Sequence, residues 1–362
     1  MKRGTRMKIA FIITTFSIGG AQKVIIDLIE HMNREVYDIK VIIHSDPIVN
    51  QFTKRLDASK ISYEFVHRDN KVSITSYKNL SRALIAFNPD VIHIHLDTLY
   101  APLWVLLHNR RTVFTIHSQP YRLFGNKIIK IIFKKLLKRD NFYLTGVSKQ
   151  IAAETAEILN VPEKKIVTIY NPVCLSGDEF EKKDRNEKEI VFVNVARFNP
   201  IKNQILLIDA FSKVIKVCQK TRLIFAGDGE MLEKCKEYSN RLAVSSAINF
   251  IGNVENVYSI LTKADCFVLS SKSEALPISI LEAMACSLPI IAPKVGGIPE
   301  LVSENGILYE TENCDQLVCA MIKMIKDNDY REYCAKKSYQ LVEKFNPKYI
   351  VDQYEILYGT GR

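Results

Sequence analysis

The sequence predicts an α/β protein built as two Rossmann-like halves, and three observations predict it. Short runs of β-branched residues alternate with stretches of helical periodicity, the pattern of a parallel sheet covered on both faces. That alternation is interrupted once, at Ser176–Glu189, by a run of charge with one aromatic and no aliphatic residue, and then restarts. The chain has 362 residues, more than one hydrophobic core usually holds, so two domains are expected.

The elements follow in order. Lys8–Thr15 (KIAFIITT) reads as a strand, Phe16–Gly20 as a glycine-rich turn, and Ala21–Met32 as a helix with apolar residues at Val24, Ile25, Leu28, Ile29 and Met32. Asp38–His44 is a second strand. Tyr77–Phe87 is a helix ended by Asn88-Pro89. Asp90–His95, Thr112–His117 and Tyr143–Val147 are further strands, and Asn126–Arg139 is a helix. After the charged connection come strand Ile190–Val195, helix Ile205–Val217, strand Arg222–Ala226 with the turn Gly227-Asp228-Gly229, and helix Met231–Leu242. Strand Ile248–Ile251, a short helix at Val257–Lys263 and strand Cys266–Ser270 lead to helix Ile278–Ala285. Strand Pro289–Ala292, a helix start at Ile298–Val302 and helices Cys314–Lys326 and Tyr330–Phe345 complete the second half. The expected domains are 1–172 together with a returning helix at 346–362, a linker at 173–189, and 190–345. In open α/β sheets ligands bind beyond the carboxyl ends of the strands, so a cleft between two facing sheets is the default site.

Composition narrows the class. With 47% apolar and 25% charged residues the chain is neither disordered nor a disulfide scaffold. Its longest apolar runs, such as Ile9–Thr15 and Val91–His95, are strand-length, well short of the roughly 18–20 residues of a membrane-spanning helix. The basic start, Met1–Met7, is followed by no apolar core with a small-residue cleavage site, so no signal peptide is expected. The eight cysteines, from Cys174 to Cys334, form no CxxC pair and read as reduced, mostly buried thiols of a cytoplasmic protein.

The net charge is +10, and residues 1–180 carry all of it, with 26 Lys/Arg against 16 Asp/Glu. Residues 101–150 alone hold ten basic residues and one acidic, Asp140. A basic half suggests nucleic acid, a membrane surface or a phosphorylated ligand.

Two segments carry chemistry. In Ser273–Ala285 (SEALPISILEAMA), Glu274 lies in a turn after a strand, Pro277 suits a first helical position, and Glu282 falls inside the helix. Amides at this helix start, such as those of Leu276 and Ile278, can hold an anion, with a carboxylate on either side to grip a polyol. On these residues alone, a glutamate favoured by the helix dipole and a solvent-facing glutamate read equally well. In Val195–Asn203 (VARFNPIKN), Arg197 ends a strand and Lys202 lies near the next helix start. Two such cations can neutralise a diphosphate without a metal, or be a pair of surface charges.

The joint order of these motifs carries a resemblance. Glu274 and Glu282, framed as E-A-L-P-x-x-x-x-E-A-M, stand between VARFNPIKN and VGGIPE (Val295–Glu300). With Ser17-Ile-Gly-Gly20, Thr115-Ile-His117, Gly146-Val-Ser148, Ile169–Pro172, Gly227-Asp-Gly229 and Asn249–Gly252, the chain resembles the family 4 retaining glycosyltransferases of the GT-B fold, of the bacterial surface-polysaccharide type. The resemblance covers essentially the whole chain and is strongest over residues 190–310.

The resemblance implies two Rossmann-like domains facing across a cleft, with the C-terminal helix crossing back to the first. It implies a metal-independent hexosyl transfer with retention, from a nucleotide sugar to a hydroxyl. Arg197 and Lys202 would meet the donor diphosphate, Glu282 the ribose hydroxyls, and Glu274 the sugar near the reacting carbon. The Asn249–Gly252 loop would border the base, and Gly19 and Gly20 would let backbone approach the donor or acceptor. His117 would stand at the reaction centre. No cofactor is expected, the substrate being a nucleotide sugar of the UDP type in preference to GDP. No metal site is expected either. His93 and His95 share one strand face with only Asp97 as a third ligand, and Asp327-Asn328-Asp329 lies in a solvated connection between helices.

The acceptor side matches no substrate signature. The helix Asn126–Arg139 is basic and amphipathic, with Lys127, Lys130, Lys134, Lys135, Lys138 and Arg139 beside seven apolar residues. Such a helix lies on anionic membrane, or packs into a core with a solvated basic face. The membrane reading implies a lipid-linked acceptor, as in O-antigen or capsule assembly, and a cytoplasmic protein peripheral to the inner face of the plasma membrane. Two rivals are a sugar-nucleotide 2-epimerase of the same fold and a non-enzymatic nucleic-acid-binding protein. The Glu-x7-Glu spacing with VGGIPE favours the transferase, and the basic residues lack the aromatic interleaving of a single-strand platform, so no nucleic-acid partner is expected.

Overall fold

The computed structural model describes residues 6–175 and 189–360. The chain divides into two compact units, Met1–Pro172 with Pro347–Arg362, and Val173–Asn346. Most of the charged stretch expected as a linker lies outside the described residues. Val173 donates its amide to the Phe345 carbonyl and Cys174 accepts from the Tyr258 hydroxyl, so the chain entering that stretch is bonded into the second unit.

The first unit is built on a seven-stranded sheet. Its strands are β1 (Met7–Ile13), β2 (Tyr37–Ile43), β3 (Ser62–Phe65), β4 (Val91–His95), β5 (Arg111–Ile116), β6 (Phe142–Gly146) and β7 (Ile166–Thr168). They run in the order β3-β2-β1-β4-β5-β6-β7, every neighbouring pair parallel. The second unit holds six strands: β8 (Ile190–Val195), β9 (Thr221–Ala226), β10 (Ile248–Phe250), β11 (Cys266–Val268), β12 (Ile290–Pro293) and β13 (Gly306–Tyr309). Their order is β10-β9-β8-β11-β12-β13, again all parallel. Both sheets reverse strand order at one point, between β1 and β4 and between β8 and β11. There the loops leaving adjacent strands turn to opposite sides and open a crevice. The central strands are buried on both faces, as continuous apolar runs such as Ile9–Ile13 require.

The sequence missed several elements, for identifiable reasons. Strand β3 is a short edge strand with no buried residue, and β7 has three residues, too few to show a period. Helix Tyr100–His108 is apolar on nearly every face and so carries no helical alternation. Helices Gln51–Ala58 and Lys149–Leu159, each capped by a side chain (Asn50 and Ser148), and strand β13 were also not anticipated. The cysteines, all free thiols, need one correction. Cys235, Cys266, Cys286 and Cys334 are buried, but Cys174, Cys218 and Cys314 are half-buried and Cys319 is exposed on a helix. Burial holds the Cys235 thiol up at about 11 and Cys286 at about 12, where they are inert as nucleophiles.

The last helix, Pro347–Tyr358, belongs to the first unit and closes its sheet. The Tyr358 hydroxyl lies 2.7 Å from His93 Nδ1, and the Tyr354 hydroxyl 3.1 Å from Thr115 Oγ1. Arg111 donates to the Leu357 carbonyl at 3.1 Å. His93 and both tyrosines are buried, so these hydroxyls satisfy polar atoms that water does not reach. Tyr358→Phe, which leaves His93 Nδ1 buried without a partner, is expected to cost about 1–3 kcal/mol of stability by chemical denaturation. An unchanged midpoint would show that this bond contributes nothing.

Candidate functional site

In the second unit the site residues leave β8 and β11, the two strands at the order reversal. Asn199 turns the loop after β8 by accepting the amides of Ile201 and Lys202. Asn203 follows in the left-handed region, and the helix Gln204–Val217 begins. The Gln204 side chain donates back to the Arg197 carbonyl at 3.1 Å. From the neighbouring loop, Ser270 donates to the Lys202 carbonyl and Lys272 to the Ile201 carbonyl, so the two loops are bonded to each other.

These bonds bring Lys202 to Glu274. Lys202 Nζ lies 2.5 Å from Glu274 Oε1, and Ser271 Oγ donates to the same oxygen at 2.6 Å. Glu274 is buried and Lys202 half-buried. The buried carboxylate is thus met by a cation and a hydroxyl. Glu282 is also buried, on the helix Ile278–Ala285, and is not the solvent-facing residue that the spacing alone allowed. Pro277 is the N-cap rather than the first helical residue, and no side chain caps this helix start. Arg197 is exposed.

Glycines hold this arrangement by letting backbones touch. In the turn after β9, a Cβ on Gly227 would lie 2.1 Å from the Ala196 carbonyl oxygen, and one on Gly229 2.3 Å from that of Phe198. The Gly227-Asp228-Gly229 turn thus braces the Arg197 loop on both sides, and Gly252 joins it by accepting the Gly227 amide at 2.7 Å. Asn249 sits not in that loop but in the middle of β10, exposed on an edge strand. Gly296, in VGGIPE, has φ +55°, and a Cβ there would lie 1.6 Å from the Glu274 carbonyl oxygen. Ser271, Gln204 and Gly296 were not singled out by sequence. Ser271 had a local signal, its position three residues before Glu274, but the other two act through contacts that spacing does not show.

In the first unit, Gly19 caps the helix Gly20–His31 with extended backbone, and Gln22 folds back to donate to the Thr15 carbonyl. A Cβ on Gly19 would lie 2.7 Å from Gln22 Oε1, so the turn has little room for a side chain. His117 follows β5 and is part-exposed. Its Nε2 lies 2.7 Å from Nδ1 of the fully buried His95. Burial lowers the His117 pKa to about 4 and holds those of His93 and His95 well below the usual imidazole range, so all three imidazoles are neutral near pH 7. His93 and His95 do share a face, with ring centroids 4.1 Å apart. However, His93 bonds Tyr358 and Thr115, while Asp97 takes His44 and the amides of Leu99 and Tyr100. Among the described residues, no group of three or more His, Cys, Asp or Glu is placed to hold a metal.

The basic helix spans Lys127–Leu136, shorter than expected, with Asn126 as its cap. Ile132, Phe133, Leu136 and Leu137 are core residues. Lys127, Lys134, Lys135 and Lys138 are exposed and Lys130 is half-buried. Arg139 does not join that cationic face: it donates to the carbonyls of Val105 and Leu106 at the end of the helix Tyr100–His108. Ile128 and Ile131, 63% and 54% exposed, stand among the lysines. No helix among the described residues is long and apolar enough to cross a membrane.

Two family models divide the chain between them. Residues 18–176 match glycosyltransferase family 4, and residues 176–341 match glycosyl transferases group 1. The N-acetyl-alpha-D-glucosaminyl L-malate synthase of Bacillus anthracis is 26% identical over 75% of this chain and 74% of its own. The UDP-Gal:alpha-D-GlcNAc-diphosphoundecaprenol alpha-1,3-galactosyltransferase of Escherichia coli is 25% identical over 98% and 97%. HepE of Anabaena, solved with UDP-glucose, superposes with a TM-score of 0.84 at 20% identity, covering 98% of this chain and all of that one. Two parallel Rossmann-like sheets with these neighbours define a GT-B fold. The chain belongs to the group 1/family 4 glycosyltransferases.

The contact between Gly296 and Glu274 yields a prediction. Gly296→Ala is expected to destabilise the protein by about 1–3 kcal/mol through its left-handed backbone, with a further loss from displacing the Glu274 turn. Gly252→Ala is the control, because Gly252 has φ +71° but a Cβ there would meet no atom within 4 Å. Chemical denaturation that finds equal losses for the two variants would rule out the close approach as a cause.

Proposed function

We propose that this glycosyltransferase moves a hexose, with retention at the anomeric carbon, from a UDP-sugar to a hydroxyl of a lipid-linked acceptor. The observation that carries the reading is the convergence of Lys202, Ser271 and Glu274 at the order reversal of the second sheet, beside the Arg197 loop and an uncapped helix start. The leaving diphosphate gains negative charge as the glycosidic bond breaks, so fixed cations and amides lower the barrier most. Lys202 and Arg197 supply the cations, and no metal is required for that role. The Lys202–Glu274 pair has a consequence for binding. A diphosphate competes with Glu274 for the ammonium, and the carboxylate it releases is then free to accept from sugar hydroxyls. The transition state is oxocarbenium-like, and retention rests on the family resemblance.

The relatives support the donor and divide on the acceptor. HepE is solved with UDP-glucose, and the galactosyltransferase is named for UDP-Gal. One relative is named for L-malate, the other for a diphosphoundecaprenol-linked sugar. The lysine face bearing Ile128 and Ile131 supports the second, because exposed apolar residues among cations suit an anionic lipid surface. Neither a 2-epimerase nor a nucleic-acid-binding protein is favoured by these relatives.

Arg197→Ala and Lys202→Ala are each expected to raise the barrier by about 2–4 kcal/mol at saturating donor. The donor is identified first by a thermal-shift panel of UDP-, GDP- and ADP-sugars, since a ligand of the folded state raises its melting point. Wild-type turnover in both variants would overturn the assignment. On the acceptor side, the protein is expected to float with anionic vesicles at low salt and to be released as salt rises. Replacing Ile128 and Ile131 by Ser should weaken that flotation, and no enrichment on anionic lipid would remove the membrane reading.

A further inference from the structure

His95 has no role in the reading above, yet it makes the one described hydrogen bond to His117. Its Nδ1 lies 2.7 Å from His117 Nε2, and its own Nε2 is buried with no hydrogen-bond partner among the described residues. A neutral imidazole carries one ring proton, so exactly one of the two facing nitrogens donates in this bond. If His117 were the donor, His95 would carry its proton on Nε2 and bury an N–H that bonds nothing. If His95 is the donor, only a lone pair is left bare, and buried orphan donors are the rarer case in folded proteins. The ring has little freedom to escape this choice. It lies against His93 and Phe11, with centroids at 4.1 and 6.0 Å, on a strand in the middle of the sheet.

We propose that His95 is a positioning residue that donates from Nδ1 to His117 Nε2, and so fixes His117 with its proton on Nδ1. The part-exposed His117 then presents an N–H to its ligand, not a lone pair. Nδ1 is the nitrogen with no hydrogen-bond partner among the described residues. His117 thus serves as a hydrogen-bond donor to a sugar hydroxyl or ring oxygen, and does not accept a proton from the acceptor. The neutral state that burial imposes on it agrees with this role. The inference deepens the reading of His117 as a contact of the reacting sugar and rests on it.

The test is a long-range proton–nitrogen correlation spectrum of the full chain with isotope-labelled histidine, assigned through His117→Ala. His117 is expected to show the Nδ1–H pattern in wild type and in His95→Asn, whose amide can donate from nearly the same place. In His95→Leu it is expected to revert to the Nε2–H form that an unconstrained imidazole favours. Affinity for UDP-glucose, the probe, should fall about tenfold in His95→Leu, the size of one hydrogen bond, and recover in His95→Asn. An Nε2–H pattern in wild type, or an Nδ1–H pattern that persists in His95→Leu, overturns the proposal. Should His95→Leu not fold, the wild-type and His95→Asn spectra still decide it. Unchanged affinity and turnover in His117→Ala would instead overturn the contact reading, separately from the tautomer.

Discussion

An all-parallel sheet sends every loop from its carboxyl ends out of one edge, and the reversal of strand order decides where those loops part. Both sheets here obey that constraint, and the candidate residues follow from it. In the second unit, β8 and β11 are neighbours, so the loop bearing Arg197 and Lys202 lies beside the loop bearing Ser271 and Glu274. In the first, β1 leads into Gly19 and Gly20, while the adjacent β4 ends at His95 and β5 leads to His117. Residues about seventy positions apart in sequence become partners because strand order, not chain order, sets proximity.

The two units meet the cost of buried polarity differently. In the second, a lysine and a hydroxyl share one oxygen of the buried Glu274 carboxylate. In the first, three neighbouring histidines are held neutral by burial, and the Tyr358 hydroxyl of the last helix together with Thr115 of β5 satisfies His93. Anionic chemistry thus falls to the unit with fixed cations. The histidine unit has directional hydrogen bonding to offer, without a charge of its own.

The basic excess of the first unit separates into structural and available cations. Arg55 is engaged by Asp27 and Glu30, Lys40 by Glu64, and Arg139 by two helix-terminal carbonyls. The lysines of the helix Lys127–Leu136 remain on its outer face, beside two exposed isoleucines. Charge counted along the chain could not make that separation, because a cation bonded to a distant carbonyl looks in sequence like any other.

The sequence by itself determined the α/β class, nearly every central strand, and the segments that carry Arg197, Lys202, Glu274 and Glu282. These rest on local patterns: runs of β-branched residues, helical spacing, glycine turns and a motif order that resembles one family. Only the tertiary structure decided which residues support them. Gly296 touches the Glu274 carbonyl and Gln204 holds the Arg197 carbonyl. His95 faces His117 from the adjacent strand. Glu282 is buried although its spacing also fits a surface position. Arg139 caps a helix although its spacing fits a membrane face. In each case the deciding contact joins segments distant in the chain, and periodicity reports which face a residue lies on but not what the fold brings against that face.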